Sequence, residues 1–385
     1  MEYFLTEQQK IIKVLARKIA EESILPVRAE LDEKEEFPWA IMKDLADTDM
    51  FGVFIPEKYG GVGGGCFELY LVMEELSRVC SAVAVSYAAS ALGSLTLLEY
   101  GTEAQKQKYL LDIVSGKRLA AFALTEATAG SDAGAIKTTA NREKGGYVLN
   151  GTKQFITNGG EAEIYTVIAL TSKERGARGA SAFLVEKDTP GFSFGRKEKK
   201  MGIRASATRE LVFEDCLVPE ENIIGKEGMG FIMTMRLLAR SRPAIGAQAV
   251  GLAQGALEAA VDYARQRVQF GHPIISLQAV QHMLADMATQ VEAARALVYA
   301  AARTIDSGVK NFTEESAMSK VFASDVAMKV TTDAVQIFGG VGYMRDYPIE
   351  KMMRDAKITQ IYEGTNQVLR NEIALQLRKR KAIQE

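Results

Sequence analysis

The stretch Asp355-Ala-Lys-Ile-Thr-Gln-Ile-Tyr-Glu-Gly-Thr-Asn-Gln-Val-Leu-Arg370 decides how this chain is interpreted. A helical run ends in it, and a second helix follows Thr365, which is a fair N-cap residue. Gly364 takes a positive φ at low cost, so the chain can turn sharply and place Glu363 at the tip. Desolvation in a pocket would raise the pKa of such a carboxylate toward the range of a general base. The simpler interpretation is a solvated glutamate before an ordinary helix cap.

The bulk composition is that of an ordinary globular protein. The 385 residues suggest two or three domains, with 47% hydrophobic and 25% charged residues. The net charge of −2 gives no reason to expect nucleic acid or an anionic membrane surface as a partner. We see neither a signal peptide nor a run of about 18 apolar residues, so we expect no membrane span.

Cysteines and histidines are few. Cys66, Cys80 and Cys216 lack metal-like spacing and are typical of reduced thiols. This favours a cytoplasmic location in a bacterium, or the mitochondrial matrix if the chain is a processed form. His272 and His282 do not make a zinc site, so we expect no bound metal.

Periodicity divides the chain into helical, β and helical parts, an α+β multi-domain architecture. We predict an N-terminal helical domain over 1–119, a middle antiparallel β-barrel or sandwich domain over 120–230, and a C-terminal helical bundle over 231–385. Helices are predicted over 7–30 with a break at Pro26, 39–47, 67–80, 82–99, 103–115, 231–240, 243–270, 276–307, 313–338 and 346–361. Strands are predicted over 164–170, 181–186 and 210–213. Asn150-Gly151 is predicted to be the type I′ turn of a hairpin that joins 147–149 to 153–157.

Two N-terminal segments stand out. The loop Glu57-Lys-Tyr-Gly-Gly-Val-Gly-Gly-Gly65 fails the dinucleotide-binding pattern, because its two registers end on Cys66 and Glu68 instead of glycine. A flexible connector is expected there. Segment 82–98 contains no Asp, Glu, Lys or Arg, so we predict a buried helix, either in a core or along the floor of an apolar pocket.

Two polar loops in the β region are candidates for binding a flat polar ring. Leu124-Thr-Glu-Ala-Thr-Ala-Gly-Ser-Asp132 offers hydroxyl and backbone N–H donors after an apolar run. In Lys153-Gln-Phe-Ile-Thr-Asn-Gly-Gly160, Phe155 is a stacking surface and Thr157 a donor. The simpler interpretation of each loop is a plain β-turn.

Two C-terminal segments are candidates for binding phosphate. Arg265-Gln-Arg-Val-Gln-Phe-Gly271 ends a helix with cations, which suits a diphosphate and also complements the helix dipole. Gln336-Ile-Phe-Gly-Gly-Val-Gly342 interrupts a helix with glycines, so backbone N–H groups can approach a phosphate closely, although glycine is also a common C-cap.

Taken together, the chain resembles the acyl-CoA dehydrogenase family over essentially its whole length. The motifs that carry the resemblance are Leu124-Thr-Glu-Ala-Thr-Ala-Gly-Ser-Asp132, Asn150-Gly-Thr-Lys-Gln-Phe-Ile-Thr-Asn-Gly159, Met201-Gly-Ile-Arg, Arg242-Pro243, Arg267-Val-Gln-Phe-Gly271, Gln336-Ile-Phe-Gly-Gly340 and Ile361-Tyr-Glu-Gly-Thr365. Each motif is weak alone, but seven in order are specific. The resemblance implies FAD as cofactor, oxidation of an acyl-CoA to its trans-2-enoyl-CoA, a homotetramer, and an electron-transferring flavoprotein as electron acceptor.

The resemblance also implies roles for individual residues. Glu363 would remove the α-proton, and its own N–H would help to hold the thioester oxygen. The residues implied around the flavin are Phe122, Leu124, Thr125, Gly130, Ser131, Phe155 and Thr157. Those implied for the rest of FAD, partly from a neighbouring subunit, are Arg267, Gln269, Phe270, Gln278, Gln336, Gly339, Gly340, Thr365 and Gln367. Those implied for the acyl-CoA are Ser131, Arg242, Tyr362, Gly364, Ala84, Ala88 and Ala91.

The sequence departs from the family pattern at two places in the flavin loops. Phe155 stands where the family often has Trp, and Ala127-Thr128 stands where it has Pro-Gly. Some members place the base beside the residue that corresponds to Arg242, but here that position is Ser241, which cannot serve.

The small residues of 82–98, Ser90 among them, leave room for a short- or medium-chain, branched or alicyclic (cyclohexane- or cyclohexene-carboxyl) acyl group. That segment holds no carboxylate for a second deprotonation, so α,β-oxidation is expected. The alternatives are an acyl-CoA oxidase or flavin monooxygenase on the same fold, and a catalytically silent helical scaffold or binding protein.

Overall fold

The structure, a computed structural model, describes residues 3–379. Its N-terminal helices are α1 Glu7–Ile19, α2 Arg28–Lys34, α3 Trp39–Asp47, α4 Cys66–Val79, α5 Ser81–Tyr100 and α6 Glu103–Val114. The Thr6 side chain caps α1 by accepting from the Gln9 N–H at 3.2 Å, and the Gln9 side chain returns a bond to Thr6. The predicted break at Pro26 is confirmed, because it separates α2 from α1 and the π-helical turn Ala20–Ile24 that extends it.

Helix α5 is a buried helix, as its composition predicts. The helix is long and apolar enough to cross a membrane, because an 18-residue stretch of it has a mean hydropathy of 1.5. However, 83% of that stretch is buried inside the protein. Gly93 lets it lie against the β domain, since a Cβ there would come within 2.8 Å of the Ala120 Cβ. The helix therefore joins the two domains at close range.

The glycine loop is not the flexible connector that its composition predicts. A Cβ on Gly61 would lie 2.0 Å from the Ile55 carbonyl oxygen, so the backbones touch there. The N–H groups of Gly63 and Gly64 donate to the carbonyls of Ile55 and Val53 at 2.9 and 3.0 Å. The glycines are needed for close backbone packing, which fixes the loop.

The middle domain is built on a twisted sheet. Its strands are β1 Ala120–Ala123, β2 Thr139–Glu143, β3 Gly146–Thr157, β4 Ile164–Leu170, β5 Ala180–Glu186, β6 Phe192–Lys197, β7 Thr208–Pro219 and β8 Ile223–Ile224. They pair in the order β6-β7-β3-β2-β4-β5-β8, mostly antiparallel, with β1 parallel to β4. The predicted hairpin turn at Asn150-Gly151 is wrong: β3 runs through it, with a register shift against β7 between Leu149 and Gly151. The turn lies between Glu143 and Gly146 instead.

The C-terminal part is a bundle. Its helices are α7 Gly230–Gln266, α8 Gln278–Asp306, α9 Thr313–Phe338, α10 Ile349–Thr359 and α11 Asn366–Lys379, and the short strands β9 Val268–Gln269 and β10 His272–Pro273 pair after α7. The predicted division into helices 231–240 and 243–270 is wrong, because α7 continues through Pro243. Pro243 leaves the Ala239 carbonyl without its helical partner, and the Ser316 hydroxyl supplies one at 2.5 Å.

Candidate active site

A cavity of about 280 Å³ lies where α5, α7, the β domain and the turn before α11 meet. Most residues assigned to the flavin ring and the acyl-CoA line this one space. They are Ala88, Ala91, Phe122, Leu124, Thr125, Gly130, Ser131, Phe155, Thr157, Arg242, Tyr362, Glu363 and Gly364. Residues from three parts of the chain, far apart in sequence, are therefore brought to one site.

Glu363 is held at the cavity by an unusual backbone turn. Its φ is 57° and that of Gly364 is 93°, so two consecutive residues are left-handed, one of them not glycine. Thr365 caps the following helix by accepting from the Val368 N–H at 3.2 Å, as predicted. The Glu363 carbonyl accepts from Arg242 Nε at 3.2 Å, which fixes the turn to α7.

Ser241 contributes to the site in a way that sequence reasoning missed. It cannot act as a base, but its hydroxyl donates to Glu363 Oε2 at 2.6 Å. Only the proximity of α7 to the turn reveals this bond, and no sequence pattern signals it. A short hydrogen bond of this kind stabilises the ionised carboxylate.

The electrostatics of the site make the Glu363 carboxylate more basic than a solvated glutamate. Burial raises the pKa of Glu363 above its ordinary value, against the lowering effects of the Ser241 hydrogen bond and the charges of Arg242 and Lys320. The effect of desolvation on the pKa of Glu363 is therefore larger than the combined effects of the hydrogen bond and the two charges. Glu363 therefore binds a proton more tightly than a solvated glutamate does, while Ser241, Arg242 and Lys320 favour its ionised form.

Tyr362 is fixed by a buried chain of hydrogen bonds. Its hydroxyl donates to Gln248 Oε1, and the Gln248 amide donates to Ser81 Oγ at 2.7 Å. Ser81 begins α5, so the residue beside Glu363 is tied to the helix that forms the cavity wall. Gln248, like Ser241, carries no sequence signal of its role.

One side of the cavity presents donors suited to a polar ring. The hydroxyls of Thr125, Ser131 and Thr157 have no hydrogen-bond partner within the part of the chain that the structure describes. Phe155 is 57% exposed, with a left-handed φ of 57°. Unpartnered donors beside an exposed aromatic ring fit a bound isoalloxazine.

A buried ion pair holds the loop Leu124–Asp132, which carries Thr125 and Ser131, to β3. Lys153 Nζ donates to Glu126 Oε1 at 2.7 Å and to the Leu124 carbonyl at 3.0 Å. Burial lowers the pKa of Lys153 to about 8. Burial raises the pKa of Glu126, but the Lys153 charge and a hydrogen bond from Thr138 hold it below its ordinary value. Both residues lie inside quoted motifs, yet their role as a clamp was not predicted.

The α5 wall differs in detail from the prediction. Val85, Ala88, Leu92 and Leu95 line the cavity at helical spacing, whereas Ala84 is fully buried away from it. Ala84 is one position off this stripe, so its side chain faces another neighbour. Ser90 is also off the cavity, where its hydroxyl accepts from the Ala120 N–H at 3.3 Å.

The residues assigned to the rest of FAD are not in this cavity. Arg267, Gln269, Gly339 and Gly340 line a second, open groove of about 600 Å³. The others lie outside both spaces; they are Phe270, which is 87% exposed, Gln278, Gln336, Thr365 and Gln367. The assignment of this second group stays a prediction.

The cavity thus combines one carboxylate and an apolar wall with hydroxyl donors beside an exposed aromatic ring. Models of acyl-CoA dehydrogenase domains match nearly the whole chain: the N-terminal domain over residues 6–117, the middle domain over 121–216 and the C-terminal domain over 228–377. The chain belongs to the acyl-CoA dehydrogenase family, whose members are oxidoreductases that bind FAD. The predicted family, fold class and cofactor are confirmed.

Bacterial relatives resemble the chain from end to end. An acyl-CoA dehydrogenase of Bacillus subtilis is 49% identical over 95% of this chain and 96% of its own. An acryloyl-CoA reductase (NADH) of Anaerotignum propionicum is 48% identical over 99% and 97%.

Solved structures agree with these relatives. A butyryl-CoA dehydrogenase of Megasphaera elsdenii superposes with TM-score 0.96 at 46% identity over 98% of this chain and 100% of that one. A chain in a structure of the electron transferring flavoprotein of Acidaminococcus fermentans superposes with TM-score 0.97 at 49% identity over 99% and 100%.

Proposed function

We propose that this enzyme oxidises a short-chain acyl-CoA to its trans-2-enoyl-CoA, with Glu363 as the base that removes the α-proton. One observation carries the proposal: of the described residues that line the cavity, Glu363 is the only carboxylate. Burial desolvates this carboxylate, and apolar residues of α5 and α7 line the same cavity.

The turn offers a further group for the reaction. Within the described residues, the backbone N–H of Glu363 donates to no acceptor. A thioester oxygen that accepts from this N–H would gain negative charge as the α-proton leaves, and the donor would stabilise that charge. One residue thus supplies both the base and an oxyanion donor, which fixes the distance between them.

The side of the cavity that presents the hydroxyl donors forms the proposed cofactor site. Thr125, Ser131 and Thr157 would bind the edge of the flavin, and Phe155 would pack against its ring. When bound there, FAD would supply the acceptor for the hydride that leaves the β-carbon. The chain's own part is to hold the acyl group extended along α5 and to exclude water, for which the apolar wall is suited.

The proposed substrate class rests on the apolar side of the cavity and on one relative. Leu92, Leu95 and Ile245 line that side and suit an apolar acyl group. The butyryl-CoA dehydrogenase relative supports a four-carbon linear chain. The small side chains at Ala88 and Ala91 keep an alicyclic acyl group as the alternative substrate.

The reverse reaction is a second candidate, because one relative is an acryloyl-CoA reductase. Glu363 in its protonated form would then return the proton to the α-carbon. The relative from a structure of an electron transferring flavoprotein supports such a protein as the redox partner, in either direction. The proposed assembly is a homotetramer in a bacterial cytoplasm, consistent with three free, buried cysteines.

The test combines one substitution with a substrate panel. Glu363→Gln keeps the shape of the side chain but removes its basicity, so we expect turnover to fall at least ~10²-fold. The control is Glu30→Gln on the surface of α2, for which we expect no change. The measurement is anaerobic bleaching of bound flavin by linear C4 to C16, isovaleryl, glutaryl, and cyclohexane- and cyclohexene-carboxyl thioesters.

Three outcomes would contradict the proposal. Near-normal turnover of the Glu363→Gln enzyme with intact flavin would remove the mechanism. Bleaching only by long-chain thioesters would remove the substrate class. Fast reoxidation by O₂ after bleaching would instead assign an oxidase.

A further inference from the structure

A buried lysine lies directly behind the turn that carries the base. Lys320, in the N-terminal third of α9, is 0% exposed. Its Nζ donates to the Gly364 carbonyl at 2.8 Å and to Asn366 Oδ1 at 2.9 Å. Both acceptors lie within three residues of Glu363, and none of the steps proposed above uses this lysine.

The burial of this ammonium group is not explained by an ion pair. Within the described chain, no carboxylate oxygen lies within 4.0 Å of Lys320 Nζ. A lysine is seldom buried without such a partner, since the charge loses its hydration. The other buried lysines differ in this respect: Lys153 pairs with Glu126 at 2.7 Å and Lys351 with Asp355 at 2.5 Å. Lys320 is therefore directed at the backbone of the turn.

Asn366 converts this contact into a clamp between two helices. Its amide donates to Ser324 Oγ and to Asp325 Oδ1, both at 2.8 Å. Lys320, Ser324 and Asp325 all belong to α9, whereas Asn366 is the first residue of α11. The clamp fixes the start of α11, and hence the end of the turn, against α9.

We infer that Lys320 is a positioning residue for the Glu363 carboxylate, which it holds in place and in its ionised form through the backbone of the turn. The inference rests on the proposed function of Glu363. Two successive carbonyls, those of Glu363 and Gly364, accept bonds from two buried cations, Arg242 and Lys320. These bonds maintain the pair of left-handed residues that presents the carboxylate.

Charge supports the same role. Burial lowers the pKa of Lys320 to about 7, against the opposing effect of the Glu363 charge. In turn, the Lys320 ammonium is one of the groups that restrain the raised pKa of Glu363, after Ser241 and Arg242. The remaining charges that face Lys320 are Asp325, which favours its protonation, and Arg242 and Arg370, which oppose it.

The test compares Lys320→Met, which removes the cation at similar volume, with Lys320→Arg, which keeps it. Val330→Ala is the control for stability, since it removes buried volume from the same helix away from the turn. Lys329→Met is the control for loss of a lysine on the exposed side of α9. All are measured as FAD-loaded enzymes, by the pH dependence of single-turnover flavin reduction with butyryl-CoA.

The expected result is a change in the shape of the pH profile. In Lys320→Met the acid limb moves to higher pH, with a rate roughly tenfold lower on the acid side and a smaller loss above the limb. Lys320→Arg keeps the limb near that of the wild type, and both controls leave it unchanged. A uniform loss at every pH, or a loss that matches Val330→Ala at equal melting temperature, would overturn the inference.

A second readout does not depend on catalysis. Infrared titration of the protonated carboxyl band, assigned by its absence in Glu363→Gln, follows the ionisation of Glu363 itself. We expect the band to persist to higher pH in Lys320→Met, and an unchanged titration refutes the inference even if that variant is too unstable for kinetics. Because this band reports ionisation and not turnover, failure of the proposed function is distinguished from failure of the inference.

Discussion

Removal of the Ser241 hydroxyl tests whether its hydrogen bond keeps the Glu363 carboxylate ionised. Ser241 Oγ donates to Glu363 Oε2 at 2.6 Å, and a hydrogen bond to a charged group contributes about 1.5–3 kcal/mol. Glu363 is half-buried where it borders the cavity, so the lower part of that range, ~1.5–2 kcal/mol, is appropriate. This corresponds to a proton affinity about 10- to 30-fold higher in Ser241→Ala.

The sign of the effect follows from which form the hydroxyl stabilises. Burial already raises the pKa of Glu363, and the Ser241 bond lowers it. Loss of the bond leaves more of the carboxyl protonated, so the acid limb of turnover moves to higher pH. We expect a rate ~10- to 30-fold lower below the wild-type limb and convergence with the wild type at alkaline pH.

The assay is the single-turnover rate of flavin reduction by butyryl-CoA between pH 5.5 and 9.5, in roughly half-unit steps. Ser94→Ala is the matched control, because Ser94 is a buried serine of α5 whose hydroxyl, among the described residues, donates only within its own helix, to the Ser90 carbonyl. An acid limb that does not move in Ser241→Ala would refute the reasoning. A loss of equal size at all pH values would show that Ser241 acts on geometry and not on ionisation.

Two further predictions concern the walls of the cavity. Lys153→Met leaves the Glu126 carboxylate buried without its cation, so we expect a destabilisation of about 3–5 kcal/mol, measured by denaturant unfolding, and weaker FAD retention, measured by flavin release. A second substitution, Glu126→Gln, removes the unpaired charge and keeps an oxygen that can accept from the Lys137 or Thr138 N–H, so it should recover much of the stability; no recovery would contradict the role of the ion pair. Ala88→Leu narrows the cavity beside α5, so turnover of a cyclohexane-carboxyl thioester should fall at least ~10-fold more than that of butyryl-CoA. Ala300→Leu, exposed on α8, is the control, and equal losses for both substrates would place the acyl group away from Ala88.

The sequence predicts the elements whose signals are local. Helices over 39–47 and 313–338 match the structure because each combines an apolar stripe with clear end signals. The turn at Gly364 and the cap at Thr365 were equally predictable, since they depend on one glycine and one hydroxyl. Local patterns also singled out the loop Leu124–Asp132 and Glu363, which line the cavity, whereas their roles came only from a resemblance to a family.

The errors arose where tertiary contacts override a local signal. Asn150-Gly151 has the composition of a type I′ turn, but pairing with β7 continues on both sides of it, and the bulge that follows from the register shift lies on β7, where Glu214 and Asp215 face the single residue Asn150. Pro243 would end an isolated helix, but the Ser316 hydroxyl replaces the missing partner of the Ala239 carbonyl from another helix. Neither contact is visible in a sequence, because the partners lie far apart along the chain.

The geometry around Glu363 shows why the residues that support it escape sequence reasoning. A left-handed φ at a residue other than glycine costs roughly 1–2 kcal/mol, and both Phe155 and Glu363, which line the cavity, have one. At Glu363 the surrounding bonds, from Arg242, Lys320 and Ser241, have to outweigh that cost. Each of these three residues is ordinary in its own helix, and each acquires a role only when the bundle brings α7 and α9 to the turn. The position of the carboxylate is thus a property of helix packing, so a change in either helix that moves these contacts should alter the ionisation of Glu363.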